Sequence, residues 1–535
     1  MKKIYISLTA LTMSLTATAQ TFWTATSYKG AFPVTDNTAV TNWTNGWSNF
    51  DPENTNYAAT TVTASTDITT NTTWSGVVLL QNKIYVKNNA TLTILPGTVV
   101  RGDLATQGTL IITKGAKLIA QGTEASPIVF TSNETVGNRA EGDWGGVVLL
   151  GKGVNNQPGG IANIEGIAPT TDTEFGGTDD NDNSGILTYV RIEFAGIALQ
   201  PNKEINGLTF GSVGRGTTID NIQVSFSGDD SYEFFGGAVD CKHLIAYRGL
   251  DDDFDTDFGY RGRVQFGLAI RDLNLSDAIG DSNGFESDND ATGSAALPLT
   301  APIFSNITLV GAKGNGTITL PVGDKFEKAF RIRRNSALSI HNSIATGWEK
   351  GLSIEGASAE NNFTGDTAKF ANNLLVNIPN GFNLITALPS VYANFFTPDA
   401  NDSTKTIANV NWVNIFVALG STPDARLNIG SAAATGASFP TSIFTGGFVG
   451  LNDASAIENL EIYPNPTSTE LNVNFSSTEN NNTISVMELS GKTVISEMNA
   501  GGLTKLNVAH LAAGTYILSI SNSTAITKKL FVVAR

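Results

Sequence analysis

The chain has 535 residues, a formal net charge of −16, 15 % charged residues and one cysteine. Such a length allows two or three domains with real cores, and the negative surface repels nucleic-acid phosphates and anionic lipid, which excludes both as expected partners. Abundant Gly, with Thr, Ser and Asn at the polar positions, favours short strands and turns over long amphipathic helices.

The N-terminus reads as a signal peptide over residues 1–19. Lys2 and Lys3 precede the apolar run Ile4 to Leu15, and Ala17-Thr18-Ala19 forms the cleavage site, so the mature chain starts at Gln20. The run is too short for a membrane span, and no transmembrane segment is expected. No cysteine follows the cleavage site to carry a lipid. Cys241, alone, forms no intramolecular disulfide and reads as a small buried hydrophobe. Residues 20–75 are Trp-rich, with Trp23, Trp43, Trp47 and Trp74. They read as a cap over a sheet end, with a sugar-stacking platform as the alternative.

From residue 76 to 455 short Val/Ile/Leu runs alternate with Gly and Asn turns. Leu92 and Gly97 match Leu110 and Gly115 at an offset of 18. Ile222, Leu244 and Phe266 recur at 22, as do Val224, Ala246 and Leu268. One strand per period near 20 residues predicts an all-β solenoid. Strands recurring in the same sense pair in parallel, with no helical crossover between them. The pattern resembles the right-handed parallel β-helix (a single-stranded solenoid) of pectate lyases, polygalacturonases and many bacterial surface proteins. Arg101-Gly102-Asp103 and Gly211 to Thr218 read as turns.

Acidic residues gather in this region. "SGDDSYEFFGG" (Ser227 to Gly237) overlays "GLDDDFDTDFG" (Gly249 to Gly259) at the same offset of 22, without a gap. Asp229 falls on Asp251, Asp230 on Asp252, Tyr232 on Phe254 and Glu233 on Asp255. Alternation predicts the rings inward and Glu233, Asp253, Asp255 and Asp257 outward. Carboxylates stacked about 5 Å apart repel by roughly 3 kcal/mol per pair at an effective dielectric near 20. Ca²⁺ bound by these oxygens, pairing with Arg248, Arg261, Arg263 and Arg271, or raised carboxylate pKa values would relieve them. A further run, Asp281 to Asp290, falls on or near the next coil. Asp180, Asp182, Ser184 and Gly185 match the start of a calcium loop, but Arg191 occupies the position where an EF-hand needs Glu. Asp366-Thr367-Ala368 and Asp402-Ser403-Thr404 are similar to bacterial O-glycosylation sites, or are polar turns.

The last segment, 456–535, alternates strands and turns as a small β-sandwich does. Tyr463-Pro464-Asn465-Pro466, Gly491-Lys492, Leu511-Ala512-Ala513-Gly514-Thr515-Tyr516 and Lys528-Lys529-Leu530 resemble the type IX secretion sorting domain of Bacteroidetes. That resemblance implies the type IX machinery as partner and release outside the cell or attachment to its surface.

The enzyme templates of the β-helix resemblance fit in part. Polygalacturonases pair aspartates with G-H-G and R-I-K. Here Asp229, Asp230 and Arg331-Ile332-Arg333 are present, but no histidine lies in G-H-G. Pectate lyases bind Ca²⁺ and use an arginine or lysine as base, and no motif fixes that geometry here. Serine-nucleophile, zinc-protease, Walker A and C-x-x-C motifs are absent. The expectation is a secreted or surface β-helix that binds polysaccharide or cell envelope with structural Ca²⁺. A calcium-dependent lyase on the same face and a purely structural surface-layer protein are the alternatives. No catalytic residue is assigned.

Overall fold

The computed structural model describes residues 22–35, 42–200, 203–277, 281–314, 326–378, 380–384, 395–396, 399–418, 420–444, 457–477, 482–488, 493–499, 502–521 and 526–535. The signal peptide, Gln20, Gly491-Lys492 and the 455/456 boundary lie outside them. Among the described residues no helix is long and apolar enough to cross a membrane. The described residues form two compact units, one within Thr24–Ser438 and one within Phe439–Arg535.

The larger unit is a parallel β-helix. Among the described residues its strands form a sixteen-stranded and a ten-stranded sheet in which each coil pairs with the next. The coils begin earlier than residue 76, because Val62–Ala64 already pairs with Val78–Leu80. Long strands such as Gly185–Glu193, Thr218–Ser225 and Cys241–Tyr247 bend at one left-handed residue each: Tyr189, Asn221 and His243. The bend turns one sheet into two faces, and Asn tolerates such corners best among residues with a Cβ. Inside, apolar side chains from all faces form one core, in which Cys241 is fully buried.

The 22-residue offset holds from Ile222 to Leu244 and from Val224 to Ala246. It fails one coil later, where Leu244 pairs with Gly267 and Ala246 with Ala269. The turn after Asp257 is one residue longer, so Phe266 falls on the His243 corner and stacks on its ring at 5.1 Å. The 18-residue match also fails. Leu92 pairs with Leu118 and Leu110 with Ile84, on different sheets, so the coil length there is 26.

The Trp-rich segment does not cap an end. Residues 24–35 and 42–57 run along the outside of the bent sheet. Gly30 N donates to Asn342 O (2.7 Å), Asn49 N to Gln223 Oε1 (2.8 Å) and Tyr57 OH to Glu193 Oε2 (2.8 Å). Phe32, Trp47 and Phe50 are buried there against Phe194, Phe226, Tyr247 and Leu268. The outward positions of those strands are apolar and require cover. Trp43 stacks on Phe32 at 5.0 Å, so Trp43 and Trp47 serve packing and not a sugar platform.

The smaller unit holds two antiparallel sheets. Ile457–Tyr463, Glu470–Ser477 and Gly502–Asn507 form one; Thr493–Asn499, Asn482–Glu488, Gly514–Ser521 and Ile526–Val533 form the other. Leu471, Val473 and Leu506 from the first share a core with Ile484, Val486, Leu518 and Phe531 from the second.

Candidate functional site: a carboxylate trough

The ten-stranded sheet builds the site. Along Leu208–Gly211, Tyr232–Phe235, Phe254–Asp257, Phe285–Ser287 and Lys328–Arg333, successive side chains alternate into and out of the coil. The inward rings of Tyr232, Phe254, Phe285 and Phe330 stack at 5.4, 4.9 and 5.4 Å. With the register fixed by this spine, outward residues align in columns. One column runs Thr209, Glu233, Asp255, Glu286, Arg331. Beside it, Gly211, Phe235 and Asp257 are followed by Asp288 and Arg333 on later coils.

The turns before these strands add a second tier. Asp252 N donates to Asp230 Oδ1 (2.8 Å), and Asn283 N donates to Asp252 Oδ1 (2.5 Å). Each turn thus receives the next coil's backbone with a side-chain oxygen. Glu233, Asp255 and Glu286 of the column and Asp229, Asp230 and Asp251 of the turns line an open trough of about 460 Å³, with Asp252 just beneath its wall.

Oxygens converge in the trough in three overlapping groups: Asp229, Asp230 and Asp251; Asp230, Glu233 and Asp255; Asp252, Asp255 and Glu286. Within each group the nearest ligand atoms lie within 4.8 Å of one another. Glu233 Oε1 and Asp255 Oδ1 are buried without a hydrogen-bond partner, although Glu233 Oε2 accepts from Asn206 Nδ2 at 3.4 Å. Burial pushes Asp230, Asp252 and Asp255 well above the usual carboxylate range. The charges of Asp229 act further on Asp230, of Asp251 on Asp252, and of Glu233 and Glu286 on Asp255. Glu233, Asp251 and Asp257 rise too, with burial the leading cause. Ionised carboxylates only accept, so a hard divalent cation fits this donor set. Asp230, Glu233, Asp252 and Asp255 are the residues best placed to hold one.

The far end of the trough carries its own counter-charge. Arg331 meets Glu286 at 2.9 Å and Glu355 at 3.3 Å. Arg333 pairs with Glu286 and, at 2.9 Å, with Asp288, and Arg334 meets Asp288 at 2.7 Å. Arg333 and Arg334 line the trough. Sequence reasoning noted Arg331 and Arg333 only as part of a hydrolase template. The signal that finds them is the repeated ring: "FESD" from Phe285 overlays "FRIR" from Phe330, which sets Arg331 beside Glu286.

Several expected site residues lie elsewhere. Asp253 points inward, not outward: it is fully buried and pairs with Arg271 at 3.1 Å, both side chains at 0 % exposure. The turn holding Asp252 and Asp253 precedes the strand, so strand alternation does not extend into it. Arg248 pairs with Asp272 (2.9 Å), Arg261 with Asp180 (3.0 Å) and Arg263 with Asp240 (Nη2 to Oδ2, 2.5 Å). None of the four expected arginines lines the trough. Asp180 and Asp182 are also outside it; Val154 N donates to Asp180 Oδ1 (3.0 Å) and Lys152 N to Asp182 Oδ2 (3.2 Å). Asp281, from the further acidic run, pairs with Lys328 at 2.9 Å.

Parallel coils, stacked columns and a terminal unit of two antiparallel sheets define a β-helix protein with a small C-terminal unit. The chain belongs to the family of the pectate-lyase like β-helix domain, whose model matches residues 60–415. Residues 461–534 match the secretion system C-terminal sorting domain, so the protein leaves by type IX secretion for the cell surface or the extracellular space. Among solved structures it is similar to the full-length tailspike protein 2 of Escherichia coli O157:H7 bacteriophage CAB120. Identity is 12 % and the TM-score 0.24, with 85 % of this chain and 64 % of that chain covered, so the match spans less than two thirds of the tailspike. No curated protein matches the chain.

Proposed function

We propose that this exported β-helix binds an acidic polysaccharide, free or in a cell envelope, through calcium held in the carboxylate trough. The observation that carries the reading is the convergence of three carboxylate groups with buried, unpartnered oxygens at Glu233 and Asp255. Calcium takes six to eight oxygens in flexible geometry. An open trough leaves part of that shell to a ligand's own carboxylates, and a solenoid face suits a repetitive polymer. The same ion neutralises the ladder and stiffens the coils.

A calcium-dependent lyase would need a base beside the cation. Arg331 and Arg333 face their carboxylate partners, and those charges raise the pKa of both against the effect of burial, which suits them to hold an anion and not to take a proton. This favours binding over elimination. The test is titration of calcium-loaded and chelator-treated protein with a panel of uronic-acid polymers, with ultraviolet absorbance followed for unsaturated products. The expected result is calcium-dependent binding without an absorbance gain. A gain would establish the lyase. Calcium stabilisation with no polymer bound would leave a structural surface protein and overturn the binding role.

A further inference from the structure

Beside the trough lies a second recess of about 460 Å³ with different chemistry, walled by Ile164, Ile167, Ala168, Pro169, Phe235 and Phe258. Both recesses are lined by Glu165 and Phe235, so they adjoin. Phe235 and Asp257 are direct neighbours across the sheet, about 4.8 Å apart. Apolar surface therefore gives way to carboxylates within one strand spacing.

The shelf has a built floor. Phe175, Phe235 and Phe258 form a run of rings with centroids 6.0 and 4.9 Å apart. Phe258 occupies a left-handed corner (φ 53°) that the two preceding coils fill with Ser212 and Gly236. A bulky aromatic is the costliest of the three choices there, and its ring remains partly exposed. The antiparallel pair Ala162–Asn163 and Glu174–Phe175 carries the segment with Ile164, Ile167 and Pro169 that lines the other wall. Asn163 and Glu165 are the polar side chains of the recess and its other large side chains are apolar, so it offers a sugar's hydroxyls a few partners and a methyl group an apolar seat.

We propose that the shelf is the neighbouring subsite for the same ligand and takes a methyl-bearing sugar next to a uronate: a 6-deoxy sugar or an O-acetylated one. This rests on the reading of the trough as an acidic-glycan site and narrows its ligand. The uronate meets the cation, and the adjoining methyl group lies on Phe235 and Phe258 against Ile167 and Pro169. Each methyl group seated there tightens binding about four-fold.

The test uses the full chain in saturating calcium and three length-matched oligosaccharides: oligogalacturonate, its O-acetylated form, and one alternating galacturonate with rhamnose. One or both methyl-bearing probes are expected to bind about four-fold or more tightly than the plain one, and which one does so identifies the source of the methyl. Phe258→Asn, which suits the left-handed corner, and Ile167→Ser on the opposite wall are each expected to bring that ratio to one with calcium affinity unchanged. Equal affinity of all three probes for the wild type, or a preference surviving both variants, overturns the subsite and leaves the acidic-glycan reading standing. Failure of every probe to bind removes that reading and the subsite with it.

Discussion

Asp255 joins two of the three converging groups, with Asp230 and Glu233 on one side and Asp252 and Glu286 on the other. Asp255→Asn keeps the shape and removes one charge. Without a cation at pH 8, each ionised neighbour near 5 Å repels Asp255 by about 3 kcal/mol at an effective dielectric near 20. That figure is an upper bound, because proton uptake relieves part of it: burial and the charges of Glu233 and Glu286 already hold Asp255 well above the usual range. The variant in chelator is therefore more stable than the wild type, by about 1–3 kcal/mol. In calcium the sign inverts. At a calcium concentration 100 times Kd the wild type gains about 2.7 kcal/mol, and the variant, lacking an oxygen common to two groups, loses most of that. Urea unfolding of both proteins at pH 8, in chelator and in calcium, reads the crossover; at pH 4 in chelator the neighbours are protonated and the difference closes. Loss of stability in chelator, or equal stabilisation of both proteins by calcium, refutes the reasoning.

Other consequences can be measured in the same way. Asp230, Glu233 and Asp252 have folded pKa values above their unfolded ones, so between about pH 4 and those raised values the folded state binds more protons. Cation-free stability then falls as pH rises, with Asp253, at about 7, marking one step of the window; melting temperatures in chelator should be higher at pH 5 than at pH 8, and calcium should flatten the slope. Arg271→Met strands the buried Asp253 and should cost about 3–5 kcal/mol, with Arg271→Met/Asp253→Asn recovering much of it; equal stability of single and double variants would exclude the pair as the cause. Phe254→Ala opens the interior ring stack and should cost about 3–5 kcal/mol in urea unfolding. Removal of residues 457–535 should retain the protein in the periplasm on cell fractionation, whereas undiminished surface or medium levels would contradict export through that tail.

Much of the site was legible because a β-helix turns sequence offset into neighbourhood. The offset of 22 places Glu233 beside Asp255 and Tyr232 on Phe254, and the register in the structure is the same. The offset fails where turns change length: one extra residue after Asp257 shifts Phe266 off Leu244, and 31 residues separate Asp255 from Glu286. Arginine placement was not legible from proximity in the chain. Arg248, Arg261 and Arg263 lie close to the aspartates in sequence but point to Asp272, Asp180 and Asp240. Arg333 reaches Asp288 from 45 residues away. The strap of residues 24–35 and 42–57 is not legible in the sequence because tryptophans signal burial without saying what they cover; the apolar outer positions Phe194, Phe226 and Leu268 supply the answer.

Diffraction from crystals grown with calcium tests the central claim most directly. An ion is expected in the trough within about 2.3–2.6 Å of carboxylate oxygens from at least one converging group, with Glu233 Oε1 or Asp255 Oδ1 among its ligands. A trough in which those oxygens bind only water, or are protonated and hydrogen-bonded to one another at saturating calcium, would contradict it.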